Sequence, residues 1–593
     1  MFRPSQVRWV LSLALLMLPA VARALPSRLV LAMDGIAYRD VLALQQGITV
    51  TNFWGRKTEC RAFTAAEGYF PVSRMVSTFP SLSDIAWTDI LGDRPLPGYQ
   101  RIYFSHAANR EIFTSGISTT MEYESQMDWQ EQSGFLRSMG YLFPRHEYDR
   151  EVREMAEHFR QSAGAQSNYY AYIRASDDAQ HLDRNIVTML CRLDRALQDL
   201  RALYREREGR ELQIVILSDH GHNHAGRGRR LPLRSFLEHA GYHDAESIRS
   251  PRDVILPDGG IEDWAEIHNA PSETGKLAQL LGHLEGVDIL AAVVPAETNR
   301  FRVVNSRGES ATIDWRPENN SFQYSMETGD PLNYRGAVEA LKRNHELDAD
   351  GFAPADAWMA VTMTNRYPLA LERIVRGFTR NVLNPATILI SLDNRHVNDG
   401  WLTHQGSRLV TCRSTHGALD DLNSDGILLC NFQPTRDTSS DRVAGQFDNF
   451  PGVKDFRAQA SGAELVAKRE QSLTRVSRAP LDYEFDLLPG DGAYLRIWSP
   501  EFADAGINSA VEMTVKKVSP FSIFEKAGRV TLSAPVWFSK TGVNERIYPL
   551  PADLKLSPQT EYKISCRLDA PKKTAWRHEF VFHTDANSQP AAY

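Results

Sequence analysis

The chain has 593 residues, which is too long for one ordinary hydrophobic core and predicts two or three domains. Apolar residues make up 42% of the chain and charged residues 24%, which is typical of a folded globular protein and argues against a disordered one. The formal net charge of -7 argues against binding to nucleic acid.

The first 24 residues have the features of a secretory signal peptide. Arg3 and Arg8 form a positive n-region, residues 10–18 form a short apolar h-region, and residues 22–24 (Ala-Arg-Ala) offer a cleavage site. We expect cleavage after Ala24, with a retained anchor as the alternative, and a secreted or periplasmic protein. No later segment is long and apolar enough to predict a membrane helix, so none is expected after processing.

Short apolar runs alternate along the chain with segments of helical periodicity. The runs that predict buried strands lie at residues 28–33, 169–173, 212–217, 386–391 and 427–430. Residues 183–206 predict a helix, because apolar positions recur there every three or four residues. This alternation predicts an α/β domain over residues 25–475, with a mostly parallel sheet sandwiched by helices.

Acidic and histidine side chains follow several of these strands. They are Asp34, the pair Asp177 and His181, the pair Asp219 and His220, and, much farther along, His416. Asp177 and His181 are four residues apart, so a helical turn would place both on one face. Because ligands of α/β sheets bind beyond the carboxyl ends of the strands, we expect these side chains to converge.

Carboxylate and imidazole ligands without cysteine suit two divalent metal ions, with Zn²⁺ expected and Mn²⁺ as the alternative. Hydroxyl groups lie between the first two clusters, at Thr78, Ser81 and Ser83. A hydroxyl nucleophile beside two cations is the arrangement of a two-metal phosphoryl-transfer site. The residues therefore point to a hydrolase, with the identity of the nucleophile still open among these three.

The interval between His220 and His416 is long for a connection. It carries patterns of its own, helical at residues 276–284 and strand-like at residues 301–304. We interpret residues 225–385 as an inserted cap together with returning sheet elements. Such a cap would either shape the substrate pocket or add scaffold.

After about residue 475, apolar and polar residues alternate, as at Val511, Met513 and Val515. This period of two, with turns that contain proline and glycine, predicts strands. Residues 556–562 are similar to the turn before a late strand of fibronectin type III domains. We therefore expect residues 476–593 to form an all-β sandwich of the fibronectin or immunoglobulin type.

The cysteines are few and cannot all be paired within the chain, because there are five of them. They are Cys60, Cys191, Cys412, Cys430 and Cys566. An exported protein keeps its disulfides, and Cys412 and Cys430 flank the segment of His416. A disulfide between these two is therefore a hypothesis.

The motifs, taken in order, resemble those of the alkaline phosphatase superfamily, most closely its nucleotide pyrophosphatase/phosphodiesterase-like branch. The similar segments, between residues 29 and 432, are Met33-Asp34-Gly35, Thr78-Phe79-Pro80, Asp177-Asp-Ala-Gln-His181, Ser218-Asp219-His220-Gly221 and Thr415-His416-Gly417. The resemblance implies two metal sites: one of Asp177, His181 and His416, the other of Asp34, Asp219, His220 and the Thr78 oxygen.

The resemblance also implies that Thr78, which precedes Phe-Pro, forms a phospho-threonine intermediate, with Ser81 and Ser83 as alternatives. Asn109 is the candidate for a phosphate-binding asparagine that this branch carries downstream of the nucleophile. Ser81 stands where the family often has asparagine, which weakens a prediction of nucleotide substrates. His222 and His224 either contact the leaving group or are ordinary exposed loop residues.

The expected function is hydrolysis of a phosphate ester, by a phosphodiesterase or a phosphatase, on a small-molecule, lipid or nucleotide substrate. The alternatives are a phosphotransferase that uses an alcohol acceptor, a sulfatase and a non-catalytic binding protein. A sulfatase is disfavoured because Thr78-Phe-Pro-Ser-Leu82 lacks the modifiable residue and the arginine of the sulfatase motif. The sequence leaves the oligomeric state open.

Overall fold

The computed structural model describes residues 25–447, except for 52–56, 93–94, 114–121, 126, 132–142, 163–167, 183–185, 227, 258 and 399–411. Beyond residue 447 it describes the backbone of strands between residues 467 and 583. The predicted signal peptide lies outside the described residues.

Residues 25–447 contain both strands and helices. The strands are β1 (Arg28–Met33), β2 (Ile48–Thr51), β3 (Lys57–Cys60), β4 (Ser73–Val76), β5 (Ile102–Ser105), β6 (Arg110–Phe113), β7 (Asn168–Ile173), β8 (Gln213–Ser218), β9 (Arg229–Arg230), β10 (His243–Asp244), β11 (Asp253–Ile255), β12 (Trp264–Asn269), β13 (Val287–Val294), β14 (Glu297–Asn305), β15 (Ser310–Arg316), β16 (Ser321–Thr328), β17 (Ala353–Pro354), β18 (Ile388–Leu392), β19 (His396–Val397), β20 (Asp425–Cys430) and β21 (Thr438–Ser439). The helices are α1 (Tyr38–Gln46), α2 (Ser83–Ile90), α3 (Glu122–Ser125), α4 (Pro144–Gln161), α5 (Ala175–Leu182), α6 (Ile186–Glu208), α7 (Leu233–His239), α8 (Thr274–Leu281), α9 (Arg335–Arg343), α10 (Ala355–Thr362), α11 (Ala370–Thr379) and α12 (Asp421–Ser424).

The predicted strands near residues 28, 169, 212 and 427 meet in one six-stranded sheet, in the order β21-β4-β20-β8-β1-β7. β1 is parallel to both of its neighbours, with Met33 opposite Ile173 and Ser218. β20 is antiparallel to β8 and β4, while β21 is parallel to β4. All strands but β20 therefore run in one direction, and their carboxyl ends share one edge of the sheet.

Helices cover both faces of this sheet, as predicted. Alternate residues of β1 belong to two hydrophobic clusters, Leu29, Leu31 and Met33 to one and Val30 and Ala32 to the other. The first cluster takes its apolar residues from α1, α4 and α6, and the second from α2 and α11. Burying one large apolar side chain contributes about 1.5–3 kcal/mol, so these two layers hold the sheet rigidly under the residues that follow its strands.

A second sheet of nine strands follows the order β10-β11-β12-β18-β13-β14-β15-β16-β17. Its pairs are antiparallel except for β10 with β11. The expectation of a mostly parallel sheet is therefore wrong for this part of the chain. The reason is local, because β13 to β16 follow one another through short turns, which can join only antiparallel strands. The predicted strand near residue 388 is β18 and lies in this second sheet.

The C-terminal strands are β22 (Ala467–Gln471), β23 (Asp482–Leu488), β24 (Gly492–Trp498), β25 (Val511–Lys517), β26 (Gly528–Leu532), β27 (Glu545–Pro549), β28 (Glu561–Asp569) and β29 (Ala575–His583). They pair as a five-stranded sheet, β22-β29-β28-β25-β26, and a three-stranded sheet, β23-β24-β27. The strands expected from the period of two are present. Their packing as a sandwich, and the domain boundaries, stay predictions.

The cysteines of the described residues are not paired, since Cys60, Cys191, Cys412 and Cys430 are all free. The hypothesis of a disulfide between Cys412 and Cys430 is therefore not supported. The Cys412 sulfur lies 3.1 Å from the Ser414 carbonyl oxygen, whereas Cys430 is buried at the end of β20. Among the helices of the described ranges, none combines the length and apolarity needed to cross a bilayer.

Candidate metal centre

Three carboxylates meet at the carboxyl edge of the six-stranded sheet. Asp34 follows β1 directly, Asp219 follows β8 directly, and Asp177 lies in the first turn of α5, just after β7. The Asp34 amide donates to the Ile173 carbonyl at 3.0 Å, so the ladder continues past the end of β1. Parallel pairing in register thus brings side chains together that are far apart in sequence.

The first group, called here the Asp34 cluster, consists of Asp34, Asp219 and His220. His220 Nε2 lies 3.6 Å from Asp34 Oδ1 and 3.3 Å from Asp219 Oδ2. All three side chains are buried, and Asp219 Oδ2 accepts no hydrogen bond within the described part of the chain. A buried carboxylate oxygen without a donor is costly unless a cation neutralises it, so this cluster fits a metal ion.

Electrostatics support the same interpretation. Burial raises the pKa of Asp34 well above its ordinary value, and repulsion from Asp219 and Asp177 adds to the rise. Burial also raises the pKa of Asp219. In the ion pairs of the described residues, neither of these carboxylates has a lysine or arginine partner. A divalent cation would supply the missing positive charge.

The second group, called here the Asp177 cluster, consists of Asp177, His181, His222 and His416, with one ligand atom of each within 4.8 Å of the others. Although burial alone would raise it, attraction to His181 holds the pKa of Asp177 well below its ordinary range. His222 is fully buried, so its interpretation as an exposed loop residue is wrong. His224 is only partly buried and pairs with Asp40 at 3.3 Å, outside both clusters.

The imidazoles predicted as ligands share one orientation, with Nε2 toward the clusters and Nδ1 on a backbone carbonyl. These Nδ1 contacts are His181 with Ser414 O at 2.8 Å, His220 with Gly221 O at 2.9 Å and His416 with Ser81 O at 2.9 Å. Metal-binding histidines commonly donate their second ring N–H in this way, which fixes the ring and its tautomer. The rings are therefore oriented to offer Nε2 to an ion.

Of the three candidate nucleophiles, Ser83 is the one whose hydroxyl contacts a cluster. Its Oγ lies 3.0 Å from Asp34 Oδ1 and 3.0 Å from His220 Nε2. Ser83 is also the first residue of α2, where free amide groups and the helix dipole favour an anion. The sequence pattern carries a signal for it, because Ser83-Asp84 precedes the apolar positions of an amphipathic helix.

Thr78, expected as nucleophile and metal ligand, hydrogen bonds to neither cluster. Its Oγ1 donates to the Pro80 carbonyl at 2.8 Å, and its own carbonyl accepts from Arg373 at 3.0 Å. Ser81 Oγ likewise donates to backbone carbonyls, that of Ala418 at 3.0 Å among them. In the turn after β4, the hydroxyls of Thr78 and Ser81 thus donate to backbone carbonyls, whereas the hydroxyl of Ser83 lies at the metal centre.

Asn109, expected to bind phosphate, is a turn residue between β5 and β6, with a positive φ of 50°. Its amide nitrogen donates to Ile248 O and its amide oxygen accepts from Ile248 N, both at 3.0 Å. Both ends of the side chain are used to tie two loops together. The assignment of Asn109 to the substrate site is therefore not supported by its contacts.

Residues 46–309 match the family model described as type I phosphodiesterase/nucleotide pyrophosphatase. The matched range includes Ser83, Asp177, His181, Asp219 and His220, while Asp34 and His416 lie outside it and join them through the fold. No curated protein matches the chain significantly.

Solved structures with similarity to the chain include ectonucleotide pyrophosphatase/phosphodiesterase 5 from human and mouse. The human protein has 11% identity and a TM-score of 0.34, over 70% of this chain and 91% of that one. The murine protein has 11% identity and a TM-score of 0.34, over 71% of this chain and 93% of that one. The fibronectin type III domain of human collagen alpha-1(XX) has 13% identity and a TM-score of 0.12, over 21% of this chain and 95% of that one.

The family match and the ordered motifs agree, and residues 46–309 are similar to the type I phosphodiesterase/nucleotide pyrophosphatase family of the alkaline phosphatase superfamily.

Proposed function

We propose that this protein is an exported, metal-dependent hydrolase of phosphoric esters in which Ser83 is the nucleophile. The observation that carries the proposal is the contact of the Ser83 hydroxyl with both Asp34 and His220 at 3.0 Å. The family supports phosphoric ester hydrolysis, and the two clusters support the use of two ions.

The residues fit two divalent cations, one held by Asp34, Asp219 and His220 and the other by residues of the Asp177 cluster. Zn²⁺ is the ion that Asp and His ligands favour, with Mn²⁺ as the alternative. When bound, such ions favour the ionised form of a nearby hydroxyl and neutralise charge on the transferred phosphoryl group.

The chain's own groups then divide the reaction between them. Ser83 Oγ attacks phosphorus, forming an oxygen–phosphorus bond as the bond from phosphorus to the leaving oxygen breaks, and Asp34 Oδ1 is placed to accept the hydroxyl proton. The first amides of α2 face the resulting phosphoserine, where the helix dipole stabilises its negative charge. Water then cleaves the phosphoserine and regenerates the hydroxyl.

A substrate panel tests this function. The panel is p-nitrophenyl phosphate, bis(p-nitrophenyl) phosphate and p-nitrophenyl sulfate, each measured with and without chelator. We expect turnover of one or both phosphate esters that chelator abolishes, and negligible turnover of the sulfate. Full activity after exhaustive metal removal, or sulfate as the best substrate, would overturn the proposal.

Variants of the three hydroxyls identify the nucleophile. Ser83→Ala removes the attacking oxygen and is expected to lower kcat by at least about 10³-fold, while metal content stays at the parent level. Thr78→Ala and Ser81→Ala are matched controls, and their losses are expected to be smaller because neither hydroxyl contacts a cluster. Loss of activity in Thr78→Ala with retention in Ser83→Ala would return the assignment to Thr78.

Export is the part of the proposal that rests on the N-terminal sequence alone. N-terminal sequencing of protein recovered from the periplasm or culture medium is expected to begin at Leu25. An intact N-terminus on cytoplasmic protein would contradict export.

A further inference from the structure

We infer that His222 is a fourth protein ligand of the Asp177 site, so that protein side chains alone complete this site, while the Asp34 site keeps an open position. The inference rests on the proposed binding of ions at both clusters. It concerns a side chain beyond the expected ligands Asp177, His181 and His416.

Position and burial place His222 among those ligands. The side chain is fully buried, and its Nε2 lies 2.7 Å from Asp177 Oδ1. Its ring centroid lies 4.9 Å from that of His181 and 5.1 Å from that of His416. His222 is thus packed against every other member of the cluster.

The orientation of the His222 ring matches that of the other imidazoles. Its Nε2 faces the cluster, and its Nδ1 lies 3.1 Å from Ser414 Oγ, which also accepts the His224 amide at 2.9 Å. Arg39 donates to the His222 carbonyl and so fixes the backbone. A polar partner on Nδ1 with Nε2 directed inward is the arrangement of a metal-binding histidine.

Gly35 leaves the space that His222 occupies. A Cβ at this position would lie 2.8 Å from His222 Nε2 and 2.7 Å from Asp177 Oδ1. Two ligands about 2.0–2.1 Å from one ion can be at most about 4 Å apart. Ligand atoms within 4.8 Å of one another therefore need only small side-chain rotations to share an ion.

The two sites then differ in kind. Four protein ligands make a closed tetrahedral site of the structural type, whereas three protein ligands leave a position for a hydroxyl or substrate. Ser83 Oγ faces the three-ligand Asp34 cluster. We therefore assign tighter retention to the ion of the Asp177 site.

Metal retention tests the inference without measuring turnover. Purified protein loaded with Zn²⁺ is dialysed against increasing chelator, and bound zinc is measured by mass spectrometry. The parent is expected to lose one ion early and to keep the other to roughly 10–100-fold higher chelator concentration. His222→Ala and His222→Gln are both expected to lose this difference. The glutamine variant keeps a donor near Asp177, so restored retention in it would show that His222 only positions Asp177 and would overturn the inference.

His224→Asn is the matched control, because it lies in the same loop outside the clusters and asparagine tolerates its positive φ of 53°. It is expected to behave as the parent does. The Co²⁺-loaded parent provides a measurement without substitution, since the first ion to bind should give the intense visible absorption of a four-coordinate site. A weak five- or six-coordinate spectrum for that ion would overturn the inference alone, whereas a parent that binds no metal would overturn the proposed function as well.

Discussion

Gly35 separates the two clusters and contacts both. Its amide donates to Asp219 Oδ1 at 3.0 Å, and its missing side chain makes room for the contact of Asp177 with His222. Its positive φ of 68° is also one that glycine adopts without strain. Gly35 thus packs against side chains of both candidate metal sites.

Gly35→Ala is expected to lower zinc content, because the new methyl group would push Asp177 and His222 out of the cluster. Gly209→Ala is the matched control, since Gly209 has a similar φ of 67° but no atom within 4 Å of the added Cβ. Both variants should lose about 1 kcal/mol of stability from backbone strain, and only Gly35→Ala should lose metal. Equal zinc content in the two variants would contradict this role.

Arg373 is buried and hydrogen bonds to the turn after β4, which contains Thr78 and Ser81. Its guanidinium donates to the carbonyls of Thr78 and Leu419 and to Ser81 Oγ, at 2.8–3.1 Å. The Ser81 carbonyl in turn accepts from His416 Nδ1 at 2.9 Å. Arg373 therefore fixes the turn on which one imidazole of the Asp177 cluster depends.

Arg373→Met is expected to destabilise the protein by about 3 kcal/mol or more, because several buried acceptors lose their donor at once. We also expect weaker zinc binding, through the released Ser81 turn. Urea unfolding and zinc titration measure the two effects, with the exposed Arg380→Met as the control. An Arg373→Met protein as stable as the control would contradict this account.

At the scale of elements, α11 packs against the turn that precedes α2. Gly377 allows this approach, since a Cβ there would lie 2.7 Å from the Phe79 carbonyl oxygen. At Gly336, near the start of α9, an added Cβ would have no other atom within 4 Å. Both positions lie in helices, where alanine is favoured over glycine, but only at Gly377 would an added Cβ clash with a neighbouring backbone atom.

Gly336→Ala is therefore expected to raise stability by about 0.5–1 kcal/mol. Gly377→Ala is expected to lower it by about 1–3 kcal/mol, because the backbone of the turn must move. Thermal unfolding measures both, and kcat should fall only in Gly377→Ala as Ser83 shifts. If Gly377→Ala is more stable than the parent, the turn before α2 can move to accommodate the methyl group without loss of stability, which would contradict this account.

α5 carries Asp177 and His181, and Glu151 of α4 anchors its first turn by accepting the Ala175 amide at 3.0 Å. Burial raises the pKa of Glu151 from 4.5 to about 8. Between these values the folded protein holds a proton that the unfolded chain releases, so this group's contribution to stability falls as pH rises from 4.5 to 8.

Glu151→Gln removes this titration. We expect its free energy of unfolding to decline less steeply than the parent's between pH 5 and pH 8, by up to about 1.4 kcal/mol per pH unit. Urea unfolding at several pH values measures the slopes. Parallel slopes for parent and variant would show that Glu151 does not titrate in this range.

At the scale of the whole molecule, every residue of both clusters, and Ser83, lies in the N-terminal part of the chain. β22 precedes the predicted boundary at residue 475 but pairs with β29, the last strand. A chain that ends at residue 475 would therefore keep β22 without this partner.

We expect a chain that ends after Phe447 to keep zinc binding and hydrolysis, and one that ends at residue 475 to aggregate more readily through the unpaired strand. Zinc content, turnover and light scattering of the two chains measure this. Loss of metal in the shorter chain would show that the C-terminal strands support the site.

The sequence by itself determined the α/β core and the meeting of Asp34, Asp177, His181, Asp219, His220 and His416. Three of the apolar runs form the parallel strands β1, β7 and β8, whose carboxyl ends share one edge, so the carboxylates that follow them are neighbours. The order of the family motifs along the chain predicted the same set of metal ligands.

Only the tertiary structure showed that the hydroxyl of Ser83 and the imidazole of His222 lie beside the predicted metal ligands. Thr78 and Ser83 are five residues apart in one segment, and the hydrogen bonds of the turn after β4 direct the first to a backbone carbonyl and the second to Asp34. His222 and His224 lie in one loop, yet the first contacts Asp177 and the second contacts Asp40. The direction of a side chain depends on hydrogen bonds to residues that are distant in sequence, and these cannot be predicted from the spacing of residues along the chain.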